Sequence, residues 1–320
     1  MKAIWREILL SLVMAMILPG ILLNWPMEEE VREQEKLRPK EPQQAENRVR
    51  LTVRLRSADG TVKDLDMDEY LTGVVLAEMP STFAPQAKMA QSVAARTFAR
   101  KAYITGGKHG DGSVCADSGC CQAYLTKEEY LSLGGSQQAI LEAGEAVAAT
   151  SGYVLTYEGE LITATYFSCS GGSTEDAVAV WGTEVPYLQA VDSPGEEYAA
   201  HYMDTVTFSK TELEKKLGVN LTGNWLGKIT YTDGGGVDNM ELGGKIFTGK
   251  ELRTLLALRS TAFSVEDRGA EVLITTKGFG HRVGMSQSGA DAMAKSGSSW
   301  QEILNYYYPG TSLELTNAQT

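Results

Sequence analysis

Hydrophobic and polar positions follow three rhythms along this chain, and each rhythm predicts a different kind of element. Residues 8–25 are almost continuously apolar and uncharged, a run that spans roughly 27 Å as a helix and suits a bilayer crossing. A second rhythm appears at 71–80, where Leu71, Val74, Val75, Leu76 and Met79 predict a buried helix. That helix starts near Asp68 and stops before Pro80, because proline disfavours helical backbone in the residue ahead of it. Pro85 opens a further helix over 86–100, since proline is favoured at the first helical position. Its Ala87, Ala90, Val93, Ala94 and Thr97 recur at helical spacing and form the stripe expected to face a neighbour. The third rhythm is strict alternation, which predicts a hairpin of 48–57 and 61–66 about Asp59-Gly60, and another of 153–157 and 161–167 about Glu158-Gly159.

Turn and cap signals place the rest. Residues 106–121 read as a polar, glycine-rich loop. Thr126 with Glu129, Ser209 with Glu212, and Thr248 with Glu251 mark helix starts by the capping-box pattern. Residues 136–150 predict an alanine-rich helix, 229–232, 237–242 and 271–276 predict strands, and 286–295 and 298–307 predict two closing helices. Hairpins outnumber βαβ units, so the fold class is α+β with mainly antiparallel sheets, packed helices and an N-terminal transmembrane helix. Four regions are expected. They are a cytoplasmic tip and anchor over 1–25, a polar stalk over 26–47, a region with the helix pair and cysteine loop over 48–200, and a second α+β region over 201–320.

Charge narrows the partners. The 320 residues carry a formal net charge of −12, which argues against nucleic acid. An acidic polymer bound by such a chain needs a local basic correction, and Lys88, Arg96 and Arg100 are candidates for it. Lys2 and Arg6 before the apolar run, against Glu28-Glu29-Glu30 after it, predict a cytoplasmic N-terminus. No small-x-small cleavage signal follows, so an uncleaved single-pass anchor is favoured over a signal peptide.

Glu78 is a lone acid within the apolar run 71–80, in the last turn of its helix. Apolar neighbours and the negative end of the helix dipole both oppose ionisation, so its pKa should be raised. A carboxylic acid kept protonated near neutral pH is what general-acid cleavage of a glycosidic bond requires. Gln91 and Arg96 project from the next helix at the edge of the contact. The loop supplies a second constellation: His109, Cys115, Cys120 and Cys121 lie within thirteen residues. One imidazole and three thiolates suit tetrahedral zinc. A disulfide between Cys115 and Cys121, a pairing of one of them with Cys169, or free thiols are the alternatives. Cys169 and His281 also allow a Cys-His hydrolase to be imagined, but no orienting Asn or Asp declares itself. Ser168, Ser170 and the Gly171-Gly172 turn suit the lining of a saccharide groove.

Three ordered blocks carry a resemblance. They are 69–80 continued by 87–97 (Ala-Lys-Met-Ala-Gln-Ser-Val-Ala-Ala-Arg-Thr), 166–174 (Tyr-Phe-Ser-Cys-Ser-Gly-Gly-Ser-Thr) running on to Trp181-Gly182 and Pro186-Tyr187-Leu188, and 278–290 (Gly-Phe-Gly-His-Arg-Val-Gly-Met-Ser-Gln-Ser-Gly-Ala). Over roughly residues 49–315 the chain resembles the stage II sporulation protein D (SpoIID) family. The resemblance implies a membrane-anchored lytic transglycosylase that cleaves peptidoglycan glycan strands during engulfment of the forespore. It implies Glu78 as catalytic acid, Arg96 in the active site, and His281, Ser286 and Gln287 facing the same cleft. It also strengthens zinc in the loop, as a structural ion. Tyr187 is expected to stack on a sugar, with Gln189 standing where relatives carry a basic residue. Implied partners are the sporulation amidase SpoIIP and the membrane protein SpoIIM, at the mother-cell membrane facing the forespore. The rival reading is a non-catalytic glycan-binding activator of a wall amidase.

Overall fold

The computed structural model describes residues 51–316; the expected anchor and stalk lie outside them. Among the described residues no helix is long and apolar enough to cross a membrane. The chain opens with β1 (Thr52–Arg56) and β2 (Val62–Asp66), the predicted hairpin, and passes into α1 (Met67–Glu78). Asp66 caps α1 by accepting the N–H groups of Asp68 and Glu69, and Met79 ends it with extended backbone ahead of Pro80. Next comes α2 (Pro85–Thr105), opened by proline and closed by Gly106 at φ 86° in the left-handed region. The loop that follows contains β3 (Val114–Cys115), which pairs in parallel with β1. After it come α3 (Lys127–Ser132), α4 (Gln137–Ala149), β4 (Tyr153–Tyr157), β5 (Glu160–Leu161), β6 (Tyr166–Phe167) and α5 (Ala177–Trp181).

The later elements are β7 (Met203–Ser209), α6 (Lys210–Leu217), β8 (Leu226–Tyr231), β9 (Val237–Leu242), β10 (Lys245–Thr248), α7 (Gly249–Leu255), β11 (Phe263–Asp267) and β12 (Glu271–Lys277). The chain ends with β13 (Met285–Ser286), α8 (Gln287–Lys295), α9 (Trp300–Tyr307) and β14 (Ser312–Leu315). Antiparallel pairing dominates: β8–β9–β10, β11–β12–β7 and β14–β4–β5 each form a three-stranded sheet. The sequence expects 161–167 as one strand, whereas the structure breaks it after Leu161. Tyr166 and Phe167 pair instead in parallel with Met285 and Ser286. Gly284 makes this crossing feasible, because a Cβ there would lie 2.1 Å from the Thr165 carbonyl oxygen.

Helix α2 is the axis of the molecule. It packs on α1, α4, α8, α9 and β4, and its predicted stripe is fully buried together with Ala95 and Ala99. Small side chains on nearly every face let four helices approach one backbone closely. One hydrophobic cluster joins α2 to α1, α4 and β1, and a second joins it to β4, α8 and α9. A third cluster lies wholly within residues 208–274. Grouped by core, residues 203–277 form an inserted region with its own cluster, and residues 283–308 return to α2. Arg282 and Glu175, both buried, hold the insertion to the body. Glu175 accepts from Thr232 Oγ1 at 2.6 Å and Gly234 N at 3.1 Å, while Arg282 donates to the Gly234 carbonyl at 2.6 Å.

Candidate active site

Glu78 ends α1 half-buried, and both its carboxylate oxygens have partners. Oε1 accepts the Ala123 N–H at 2.8 Å and Oε2 accepts the Gln287 side-chain amide at 3.1 Å. Burial pushes its pKa above the ordinary carboxylate value; the two hydrogen bonds oppose that shift without cancelling it. The negative end of α1 acts in the same direction as burial.

These two partners come from two distant stretches of chain. Gln287 opens α8 directly after its cap Ser286, whose Oγ accepts the Gly289 N–H at 3.2 Å. The Gln287 amide also lies 3.5 Å from Gln91 Oε1 on α2. Gln91 Nε2 is buried with no hydrogen-bond partner, at a cost of about 1–3 kcal/mol. Behind them, Tyr166 donates to Gln122 Oε1 at 2.7 Å, and Gln122 reaches the Tyr70 hydroxyl at 3.2 Å. Burial, and then the charges of Cys121 and Glu78, raise the Tyr70 phenol; burial and then Glu78 raise that of Tyr166. Both phenols therefore stay neutral, leaving Glu78 as the acid of the group.

Ala123 reaches Glu78 because the cysteine loop puts it there, two residues after Cys121. His109, Cys115, Cys120 and Cys121 offer ligand atoms that all lie within 4.8 Å of one another. His109 Nε2 is 3.8 Å from Cys120 Sγ and 3.6 Å from Cys121 Sγ, and the two sulfurs are 3.9 Å apart. Tetrahedral zinc with S and N ligands has edges of roughly 3.5–3.8 Å, close to the spacing of His109, Cys120 and Cys121, and Cys115 completes the set within 4.8 Å. Cys169 lies apart, buried, with its thiol 3.0 Å from Glu196 Oε2. The strand of chain after Cys121 is clamped on α1: Leu125 N–H donates to the Gly73 carbonyl at 3.2 Å, and a Cβ on Gly73 would sit 2.4 Å from the Tyr124 ring.

His281 lies beside this group, its ring 5.6 Å from Phe167 and 5.5 Å from Trp181. Burial first, and then nearby cations, lower its pKa to about 4. It is a neutral ring at physiological pH. Ser168 is half-buried, and its carbonyl accepts from Ser288 N at 3.0 Å and Ser288 Oγ at 2.9 Å, next to the start of α8.

Three predicted site residues are placed elsewhere. Arg96 is fully buried and caps the C-terminus of α4, donating to the carbonyls of Thr150 at 2.8 Å and Val147 at 3.3 Å. It also donates to the Tyr153 carbonyl at 3.3 Å and lies 3.6 Å from Asp68; buried on these acceptors, it presents no donor to a substrate. Ser170 is buried on Glu196, with its Oγ at 2.8 Å from Oε1. Tyr187 accepts the Thr163 N–H at 3.0 Å, and its ring packs 5.4 Å from Tyr157. The expected basic correction is displaced as well, since Lys88 is buried against Glu142 at 2.8 Å and Arg100 is buried beside Tyr103. Ala123, Gln122 and Tyr166 were not foreseen as site groups. Tyr166 opens the 166–174 block, whereas a backbone N–H has no sequence signal. A cavity of about 440 Å³ lies between 176–190 and Asp233, but it contains none of these groups, so chemistry rather than volume marks the site.

A family model described as SpoIID, stage II sporulation protein, matches residues 56–157. The chain is 39% identical over 269 residues to stage II sporulation protein D of Bacillus subtilis, covering 82% of this chain and 78% of that one. It is 40% identical over 279 residues to stage II sporulation protein D of Bacillus amyloliquefaciens, covering 85% and 81%. An amidase enhancer of Bacillus subtilis is 30% identical over 302 residues, covering 76% of this chain and 40% of that protein.

Proposed function

Because the chain belongs to the stage II sporulation protein D family, we propose that it is a lytic transglycosylase of peptidoglycan in which Glu78 is the single catalytic acid. The observation that carries the reading is Glu78 itself, poorly solvated, raised in pKa and yet half-open to the surface. Its protonated oxygen delivers a proton to the glycosidic oxygen between N-acetylmuramic acid and N-acetylglucosamine as that bond breaks. Positive charge then develops at the muramyl C1, assisted by the 2-acetamido group of the same sugar. The ionised Glu78 takes the proton of the C6 hydroxyl, whose oxygen closes on C1 to give a 1,6-anhydro end. Ala123 and Gln287 hold the carboxylate through this cycle and stabilise it when it is charged.

An inverting hydrolase needs a second carboxylate about 6.5–9.5 Å away to activate water. Here the internal hydroxyl replaces water, so one carboxylate serves both steps. Among the described residues, the hydrogen bonds to Glu78 come from an amide and a backbone N–H, not from an acid. Zinc held by His109, Cys115, Cys120 and Cys121 would supply a structural cross-link and no step of the reaction. Its consequence falls on Ala123, whose N–H the fixed loop aims at Glu78. The chain acts at the mother-cell membrane through its N-terminal anchor, with SpoIIP and SpoIIM as partners.

The test is release of anhydro-muropeptides from purified glycan strands by the full chain in detergent, followed by mass spectrometry. Wild type should release them and Glu78→Gln should not; release at the wild-type rate by the variant removes Glu78 from the mechanism. Similarity to an amidase enhancer favours a second reading, a glycan-binding activator of an amidase. Strand binding without anhydro ends, together with faster amidase turnover, selects it.

A further inference from the structure

We infer that Gln91 is a positioning residue for the reaction, which acts through Gln287 by fixing the end of that amide that faces Glu78. The inference rests on the reading of Glu78 as proton donor and deepens it. Gln91 projects from the middle of α2 and is completely buried, so it touches no glycan strand and stands behind the site. Its neighbours Ala87, Ala90, Ala94 and Ala95 are buried as well, a setting in which a carboxamide is costly unless it is paired. The pairing it has is with Gln287 at the start of α8. The amide nitrogen of Gln287 carries two N–H groups. It lies 3.1 Å from Glu78 Oε2 and 3.5 Å from Gln91 Oε1, so each N–H has one acceptor.

The other end of Gln91 makes this pairing informative. Its Nε2 is buried without a hydrogen-bond partner among the described residues, and turning the amide over does not cure the deficit. The Gln91 NH2 would then face the NH2 of Gln287, donor against donor. A glutamine kept for packing alone has apolar replacements of similar volume that leave no donor stranded. What Gln91 supplies is therefore the acceptor aimed at Gln287, which holds that NH2 group between two oxygens. Without it the Gln287 amide is free to rotate and present its carbonyl to Glu78, an acceptor that favours the protonated carboxyl. With it Gln287 offers a donor, which favours the carboxylate left after proton transfer. Of the titratable side chains facing this group, Tyr70 on α1 and Tyr166 on β6 are kept neutral by burial. Along α2, Lys88 and Arg96 are engaged with Glu142 and the end of α4, and on α8 Asp291 is paired with Lys295.

Labelling the glutamate carboxyls of the full chain with carbon-13, in detergent, lets NMR follow the titration of Glu78, its resonance assigned by its loss in Glu78→Gln. Gln91→Met, close in volume and without the amide, should raise the protonation constant of Glu78 about tenfold. In acid, where Glu78 is protonated in both proteins, the variant should melt at the same or a higher temperature, because a stranded donor has been removed. In a Gln287→Ala background the same substitution should add nothing, since the intermediary is gone. The alkaline limb of anhydro-end release should move to higher pH together with the titration. A Glu78 titration that stays in place, or an equal shift with and without Gln287, overturns the role; Gln91→Leu repeats the test if the methionine variant folds poorly. The titration needs no turnover, so its failure leaves the lyase assay of Glu78→Gln untouched, and failure of that assay leaves the titration readable.

Discussion

Glu78 and Glu196 are both enclosed by hydrogen-bond donors, yet they differ in what each carboxylate has left to offer. Glu196 is fully buried and accepts from Ser170 N at 2.7 Å, Ser170 Oγ at 2.8 Å, Ser193 Oγ at 2.5 Å and the Cys169 thiol at 3.0 Å. Tyr307 extends the network, 2.6 Å from Ser193 Oγ. Such saturation leaves the carboxylate no free face and stitches 168–172 to 193–196 and α9. Glu78 has two donors, lies at the unfavourable end of a helix dipole, and keeps one face open. Its ionised form is therefore the costlier state, which keeps a proton on Glu78 ready for transfer. Counting donors against burial separates a structural acid from a chemical one.

The comparison is broken most sharply by the matched substitutions. Glu78→Gln should lower the rate of anhydro-end release by about 10²–10⁴-fold and preserve the urea midpoint. Glu196→Gln should do the reverse, losing about 1–3 kcal/mol of stability because an amide nitrogen would face donors, while the surviving folded protein keeps its turnover. If both variants lose activity and stability together, the distinction fails. Next in size is the loop: Cys115→Ser, or dialysis against a strong zinc chelator, should cut turnover about 10–100-fold and lower the melting temperature. Metal analysis of protein purified without added zinc reads occupancy directly, and no metal in wild type ends the zinc reading.

Gln287→Ala sharpens the picture further, with an expected loss of about tenfold in turnover. Its pH profile is the more telling readout. Activity needs protonated Glu78, so it falls as pH rises through the raised value. Removing a hydrogen bond that favours the charged form should move that limb to higher pH. The smallest effect concerns stability. The proton on Glu78 contributes stability that is fully present below the ordinary carboxylate pKa and is lost as pH rises through the raised one. Glu78→Gln should therefore match wild type in acid and exceed it in melting temperature at alkaline pH.

Much of this molecule was legible in its residues one stretch at a time. The periodicity of 71–80, the halt before Pro80, the small-residue stripe of α2 and the cap pairs at Thr126, Ser209 and Thr248 each specify local backbone without reference to anything distant. Helix position alone placed Glu78 in a last turn, and close spacing alone brought His109, Cys115, Cys120 and Cys121 into one loop. Strands β3, β7, β10, β11, β13 and β14 and helix α5 carry no such signal, because short or mixed segments gain their order from partners rather than from pattern. Only the tertiary structure decided that Gln287, already expected in the cleft, donates to Glu78 Oε2 while Arg96 caps α4, that Ser170 belongs to Glu196, and that Ala123 supplies a donor. Those outcomes turn on which segments pack together, across separations of 209 residues for Gln287, 26 for Ser170 and 45 for Ala123. Hydrogen-bond partners at such separation are set by packing, and no local rule of sequence encodes them.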